Sequence, residues 1–228
     1  MDATHPRTRS SATGRAEAAR PRSWAFDRPD TSPFAHPRGL AGRLAGRFMS
    51  WTNRRQEEVV ELLDVRPGDR VLEVGYGPGV LLGLLAGRVG DGRVSGVDPS
   101  PEMRALAIRH NRDAVRAGRV DPRIGTVEAT GFADAEFDRV VTVNTVAIWP
   151  DLEAGLRELH RVTRPGGRIV IAWHGGTRPS MLTRRLALPG HLLDRIEGAM
   201  AELFAGVTRH ALRTLTAFRA TRPGDGTN

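Results

Sequence analysis

Three glycines separated by single residues, Gly75, Gly77 and Gly79, lie between a short apolar segment and a stretch with helical periodicity. Glycine lets the backbone turn tightly and approach a ligand closely, and the amide groups at the start of the following helix can then meet a polar or anionic group. Asp98 follows the next apolar segment, nineteen residues beyond Gly79. A carboxylate at this place can bind both hydroxyls of a ribose, so the arrangement is typical of nucleotide binding.

The spacing of the glycines distinguishes between candidate nucleotides. Dinucleotide-binding loops follow the pattern G-x-G-x-x-G, but here the third glycine comes one residue early and Val80 occupies the expected position. Glu73 lies inside the apolar segment, two residues before Gly75, and an acid there suits a ligand with a positive centre rather than a pyrophosphate. The chain has no lysine, which excludes the G-x-x-x-x-G-K-[ST] loop of a Walker ATPase.

Composition excludes several other kinds of chemistry. The 228 residues include no cysteine, which excludes disulfide scaffolds, cysteine-based zinc sites, iron–sulfur clusters and thiolate nucleophiles. All 34 basic residues are arginine and the formal net charge is +8. The arginines are scattered and form no basic stripe, so coding bias explains them better than a nucleic-acid partner. No apolar run approaches the roughly 18 residues of a membrane span, and the N-terminus has no apolar centre typical of a secretory signal, so we expect a cytoplasmic protein.

The elements that must position these residues alternate along the chain. Apolar segments predict five strands, at 71–74, 94–97, 123–127, 138–144 and 168–173. Strands that alternate with helices form a parallel, doubly wound sheet with helices on both faces, which is an α/β fold. Ser100 followed by Pro101 predicts the start of a helix over 101–117, with the serine as its cap. A helix over 192–204 and two closing strands within 207–221 complete the pattern.

Composition also divides the chain. We predict a flexible Arg/Pro-rich N-terminal tail, a globular domain and a frayed end, at 1–37, 38–222 and 223–228. Within 38–53, apolar residues recur at a spacing of four, at Leu40, Leu44 and Phe48. This spacing favours a lid or covering helix over a pocket, with a foot on a membrane surface as the alternative.

Four motifs in order resemble those of class I S-adenosylmethionine (SAM)-dependent methyltransferases. VLEVGYGPG at 71–79 is similar to the first motif of that family, and VDPSPEM at 97–103 is similar to the second. Residues 125–140 resemble the third region, and LHRVTRPGG at 159–167 resembles the turn before the fifth strand. The resemblance covers about residues 55–174. It is nearest to the ubiquinone/menaquinone-type and natural-product methyltransferases, and it implies a seven-stranded, mostly parallel Rossmann-like sheet.

The resemblance implies SAM as the cofactor and S-adenosylhomocysteine (SAH) as its product. The implied cofactor-binding residues lie in or shortly after the first four strands: Glu73, Gly75, Tyr76, Gly77, Gly79, Asp98, Pro99, Met103, Thr126, Val127 and Asn144. The glycines would pass under the methionine part, Glu73 would act on its amino group through water or the loop backbone, and Asp98 would bind the ribose hydroxyls. Pro99 and Met103 would pack against the adenine. Thr126 occupies a position where the family usually has Asp, and its hydroxyl is a weaker acceptor than a carboxylate.

Methyl transfer of this kind needs alignment of nucleophile, methyl and sulfur more than covalent help. A base is needed only if the nucleophile must lose a proton. The candidate catalytic residues are His174 at the end of the fifth strand, Asn144 at the end of the fourth, and His36 on the predicted lid. Thr145 and Trp149 follow the fourth strand and are candidates to border the methyl position and to wall the pocket. No metal site is predicted.

The acceptor is expected to be a small or lipid-like molecule, methylated on C, N or O. Two other functions remain open. The arginine excess allows an RNA methyltransferase, and Thr126 together with the weak set of bases allows a catalytically silent SAM-binding partner protein. A phospholipid N-methyltransferase also remains open if the 38–50 segment binds anionic vesicles. The sequence leaves the oligomeric state undetermined.

Overall fold

A single mixed sheet forms the centre of the computed structural model, which describes residues 22–26 and 56–224. Its seven strands have the order β3-β2-β1-β4-β5-β7-β6. Their bounds are β1 Arg70–Val74, β2 Arg93–Asp98, β3 Val120–Ile124, β4 Phe137–Val143, β5 Thr163–His174, β6 Ala205–Ala211 and β7 Leu215–Thr221. Strands β1 to β5 pair in parallel, and β7 pairs antiparallel with both β5 and β6. The predicted doubly wound, mostly parallel sheet is confirmed.

Helices cover both faces of this sheet. They are α1 Glu57–Leu63, α2 Val80–Ala86, α3 Pro101–His110, α4 Arg112–Arg116, a 3₁₀ helix Val146–Ile148, α5 Leu152–Val162, α6 Met181–Arg184 and α7 Gly190–Ala201. One core lies between the sheet and the buried faces of α1, α2 and α3. The other lies between the opposite face and α5, α7 and the 3₁₀ helix. Neighbouring β1 residues divide between the two, with Val71 in the first core and Leu72 in the second, as the alternation of side chains along a strand requires.

The parallel strands bring their carboxyl ends to one edge of the sheet. Val74 of β1 pairs with Val97 of β2 on one side and with Thr142 of β4 on the other, and Val143 of β4 pairs with Ala172 of β5. The residues that follow these positions include Asp98, Asn144 and His174, which are distant in sequence. In an open α/β sheet this edge is where ligands bind.

Several predicted bounds differ from the structure: β5 begins at Thr163 rather than 168, and α7 covers Gly190–Ala201 rather than 192–204. Two further differences lie closer to the site. Strand β3 covers Val120–Ile124 rather than 123–127, because Pro122 is tolerated inside an edge strand, where the missing N–H need not pair. The helix predicted over 101–117 divides at Asn111 into α3 and α4. Its start is confirmed, since the Ser100 hydroxyl accepts a hydrogen bond from the Met103 amide at 3.2 Å.

Several predicted features lie outside the described residues: the 38–53 segment, His36 and residues 225–228. Of the predicted tail, the structure describes only 22–26. Among the described residues, none of the helices combines the length and apolar character that a bilayer span requires.

Asn111 holds the start of α2 against the end of α3. Its buried amide nitrogen donates to the Gly79 carbonyl at 2.8 Å and to the Ala107 carbonyl at 3.0 Å. The approach is close, because a Cβ built on Gly79 would lie 2.7 Å from the Ala107 Cβ, and Gly79 has φ +80°. The last glycine of the loop is therefore fixed by both its conformation and its neighbours.

We predict that Asn111→Ala lowers the free energy of unfolding by about 1–3 kcal/mol, because the buried Gly79 carbonyl loses the shorter of its two hydrogen bonds and keeps the 3.4 Å bond from the Gly83 amide. Denaturant titration measures this. The control is Arg112→Ala, whose side chain is 70% exposed and whose removal should change stability by less than about 0.5 kcal/mol. Equal losses in the two variants would contradict the assignment.

Candidate functional site

The glycine loop joins β1 to α2 at the carboxyl edge of the sheet. Gly75, Gly77 and Gly79 have φ values of +75°, +52° and +80°, a region in which a side chain is strained. Gly75 is also closely packed, since a Cβ there would lie 2.3 Å from the Thr145 Cγ2. The three glycines are thus required by geometry, which is the reason the sequence motif has this form.

The Asp98 carboxylate ties this loop to the end of β2. One of its oxygens accepts from the Gly77 amide and the other from the Ser100 amide, both at 2.9 Å. Burial raises the pKa of Asp98 to about 6, although both amide donors act to lower it. Because a carboxylate has about four lone-pair sites, each oxygen retains capacity for one further donor.

Glu73 is a second buried carboxyl group, directly before the glycine loop. Its Oε2 has no hydrogen-bond partner and the residue is 3% exposed. Burial raises the pKa of Glu73 well above its usual range, the charge of Asp98 raises it further, and a backbone hydrogen bond from Leu82 acts in the opposite direction. A buried acceptor without a donor is costly in a folded protein, and a cationic amino group is a ligand that would satisfy it.

The open side of β2 and β3 offers an apolar surface beside Asp98. Ile124 pairs with Asp98 in the β2–β3 register and is 50% exposed. Pro99 and Thr126 are also exposed, whereas Val127 is buried in the core. The sequence did not identify Ile124, because the predicted third strand lies three residues too late. No pattern in the sequence alone identifies it, since its exposure beside Asp98 depends on the β2–β3 register.

Two residues of the predicted cofactor set have other side-chain roles. The Tyr76 ring is buried beneath Gly96 and its hydroxyl donates to the Arg123 carbonyl at 3.0 Å. Met103 is 1% exposed and packs in the core with α1 and α2. Both side chains therefore pack in the protein interior, and Tyr76 contributes only its backbone to the glycine turn.

Asn144 and His174 end the two central strands on the other side of the loop. Asn144 has φ +59°, and its backbone N–H donates to the Ala172 carbonyl at 2.8 Å. Its side-chain Oδ1 is buried and has no hydrogen-bond partner. His174 is half-buried, and burial lowers its pKa to about 4. A neutral imidazole and an unpartnered amide oxygen thus lie at one edge, where both can accept a hydrogen bond.

The chain after Asn144 packs back onto the glycine loop. The Thr145 hydroxyl is hydrogen-bonded to that of Thr142 and accepts from the Trp149 indole N–H at 3.0 Å. Trp149 is 3% exposed and belongs to the core on the α5 side, so it does not wall an open pocket as predicted. Across the described residues, no group of three or more His, Asp or Glu side chains is arranged to hold a metal ion.

Two glycines with matched conformations separate the effect of φ from that of close packing. Gly131 has φ +74° but nothing lies within 4 Å of a built Cβ. We predict that Gly131→Ala costs about 1–2 kcal/mol of stability through strain alone and retains SAH binding. Gly75→Ala, at φ +75°, should cost about 1–3 kcal/mol more, because its methyl displaces Thr145, and should abolish SAH binding. Thermal unfolding and calorimetric titration measure both, and the same SAH affinity in the two variants would contradict the role of Gly75.

Known proteins share both the sequence pattern and this fold. Residues 72–171 match a family model described as a methyltransferase domain. The uncharacterized methyltransferase YdaC of Bacillus subtilis is 31% identical over 129 residues, which is 56% of this chain and 69% of YdaC. A malonyl-[acyl-carrier protein] O-methyltransferase of Erwinia pyrifoliae is 31% identical over 209 residues, covering 81% of this chain and 76% of that protein.

A solved structure agrees with the fold. A SAM-dependent methyltransferase from Aquifex aeolicus superposes with a TM-score of 0.63 at 19% identity, over 78% of this chain and 98% of that one. The sheet order, the glycine loop and these similarities lead to the same family. The chain belongs to the class I SAM-dependent methyltransferases, and SAM is its cofactor.

Proposed function

We propose that the protein transfers a methyl group from SAM to a small-molecule acceptor at the carboxyl edge of β4 and β5. The observation that carries this proposal is the pair of buried carboxyl groups, Glu73 and Asp98, on either side of the glycine loop. One has an unpartnered oxygen and the other has spare acceptor capacity. We propose a catalytic domain over 38–222, of which 56–222 lies among the described residues.

The cofactor contacts follow from the donors each group lacks. Glu73 accepts from the amino group of the methionine part, because a cationic N–H satisfies its free Oε2 and favours its ionised form. Asp98 accepts from the two ribose hydroxyls with the lone pairs that Gly77 and Ser100 leave unused. The adenine lies against the exposed apolar side chains of Ile124 and Pro99, where Thr126 supplies only a hydroxyl.

Bound SAM supplies an electrophilic methyl group on a sulfonium, whose leaving group is a neutral thioether. The protein's own part is positioning, which can contribute several kcal/mol to the lowering of a barrier. Asn144 accepts from the acceptor molecule through Oδ1 and so orients it. His174 is neutral near pH 7, because burial lowers its pKa to about 4, and it accepts a hydrogen bond that orients an O–H or N–H nucleophile. A carbon nucleophile that the substrate itself activates would need no base from the protein.

The class of acceptor rests on similarity rather than on a contact. The Erwinia relative is named for a malonyl group on an acyl-carrier protein, and two other relatives are named as a ubiquinone/menaquinone biosynthesis C-methyltransferase and a nocamycin O-methyltransferase. These names support a small-molecule or carrier-bound acceptor for this chain. They do not favour RNA, and the described residues add no observation in favour of RNA binding.

SAH titration tests the cofactor site. We expect micromolar binding of SAH, no binding of NADH as the control ligand, and a loss of roughly 100-fold in Asp98→Ala, since two hydrogen bonds to a charged group are removed. Asp121→Ala, a partly exposed acid on β3, should bind SAH as the wild type does. Because the pKa of Asp98 is raised to about 6 in the free protein, the protonation of Asp98 should lower the SAH affinity by up to about tenfold per unit as the pH falls below that value.

Methyl-labelled SAM then tests the transfer itself. Label entering a small-molecule fraction of a cell extract, and lost in Asp98→Ala, supports the proposal. Label entering RNA would instead establish the nucleic-acid alternative. SAH binding without transfer to any fraction would favour a silent cofactor-binding protein and contradict the proposed activity.

A further inference from the structure

Residues 22–26 form a turn that packs on the proposed catalytic domain. In the sequence they precede the matched family region, residues 72–171. The Trp24 amide donates to the Trp149 carbonyl at 3.1 Å, and its indole N–H donates to the Val146 carbonyl at 2.6 Å. The Arg195 guanidinium of α7 lies 5.0 Å from the Trp24 ring centre. Trp24 therefore contacts the chain after β4 at both ends of the 3₁₀ helix, through its backbone amide at Trp149 and its indole at Val146, and the indole also lies near Arg195 of α7.

Within this turn, Trp24 and Ala25 pack against the core on the α5 side, and Phe26 does not. Phe26, two residues later, remains 46% exposed, so apolar residues of this segment are not simply buried together. Ser23 is buried, and its hydroxyl accepts from the Phe26 amide at 3.1 Å. This bond closes the turn and presents the indole to the domain. A lone tryptophan in a proline- and arginine-rich stretch gave no periodic signal, which is why the sequence left its docking open.

The chain that Trp24 contacts is also the one that packs on the glycine loop. The Trp149 indole N–H donates to the Thr145 hydroxyl at 3.0 Å. The Thr145 methyl group lies where a Cβ on Gly75 would be, within 2.3 Å. Continuous contacts therefore run from Trp24 through Trp149 and Thr145 to the first glycine of the cofactor loop.

We propose that Trp24 is a positioning residue that holds the 144–149 chain against the glycine loop and thereby sets the affinity for the cofactor. The inference rests on the proposed cofactor site. Its physical basis is a population effect: if the 144–149 chain is displaced in a fraction of free molecules, the apparent dissociation constant rises by the inverse of the competent fraction. Two hydrogen bonds and a cation–π contact keep that fraction high in the wild type.

The test compares Trp24→Phe with Phe26→Leu in the full chain. Trp24→Phe keeps an aromatic ring but removes the N–H that meets Val146, whereas Phe26→Leu changes an exposed side chain of the same turn. We expect Trp24→Phe to raise the SAH dissociation constant by roughly 2- to 10-fold and Phe26→Leu to leave it unchanged.

Amide hydrogen exchange tests whether Trp24 holds the 144–149 chain in place, and it does so without a ligand. The Ile148 amide donates to the Thr145 carbonyl at 2.9 Å, so it reports whether the 3₁₀ turn opens. In free Trp24→Phe this amide should exchange faster by a similar factor, while amides of central strands β1 and β4 exchange as in the wild type. Faster exchange at Ile148 together with weaker SAH binding supports positioning.

Three results would overturn the inference. Trp24→Phe could bind SAH as the wild type does, with unchanged exchange at Ile148. It could lower the unfolding temperature without changing the SAH affinity, which would make Trp24 a structural contact only. A wild type that fails to bind SAH would overturn the proposed function together with this inference, whereas the first two results leave the proposed function intact.

Discussion

The hydrogen bond from the Gly77 amide to the Asp98 carboxylate, 2.9 Å long, holds the glycine loop in place, and the rest of the proposed site depends on it. It joins the turn after β1 to the end of β2, two elements that the parallel sheet places side by side. The second oxygen of Asp98 accepts from Ser100, the cap of α3. A single carboxylate thus sets the glycine loop, the start of a helix and the proposed ribose contact in one geometry.

Such an arrangement has a cost in the free protein. Burial raises the pKa of both Asp98 and Glu73, so their ionised forms destabilise the fold as the pH rises through the raised values, and protonation below them relieves this. A ligand that brings two hydroxyls and a cationic amine satisfies both groups. Binding of such a ligand would offset the cost of burying the two groups, which is a common trade between stability and function.

The sequence predicted what local patterns encode. Glycine spacing, the acid at the end of β2 and the Ser100–Pro101 helix start led to the correct loop, sheet and cap. It missed what depends on tertiary neighbours: Pro122 inside an edge strand, the split of a helix at Asn111 and the burial of Met103. It left open whether Trp24 docks on the domain. Each of these is decided by a partner distant in sequence, and no single-chain periodicity carries that information. Ile124 was missed because the third strand was misplaced, and its exposure beside Asp98 is visible only in the β2–β3 register.

The central claim is that the unpartnered Oε2 of Glu73 meets the amino group of the cofactor, which lowers the raised pKa of this carboxyl group. Calorimetric titration with SAM near pH 7.5, in buffers of different ionisation enthalpy, measures the protons released on binding. We expect net proton release in the wild type and less in Glu73→Gln, because only the wild type has a carboxyl group at residue 73 that the cationic amino group can help to ionise. Binding without proton release in the wild type, or the same release in Glu73→Gln, would contradict it.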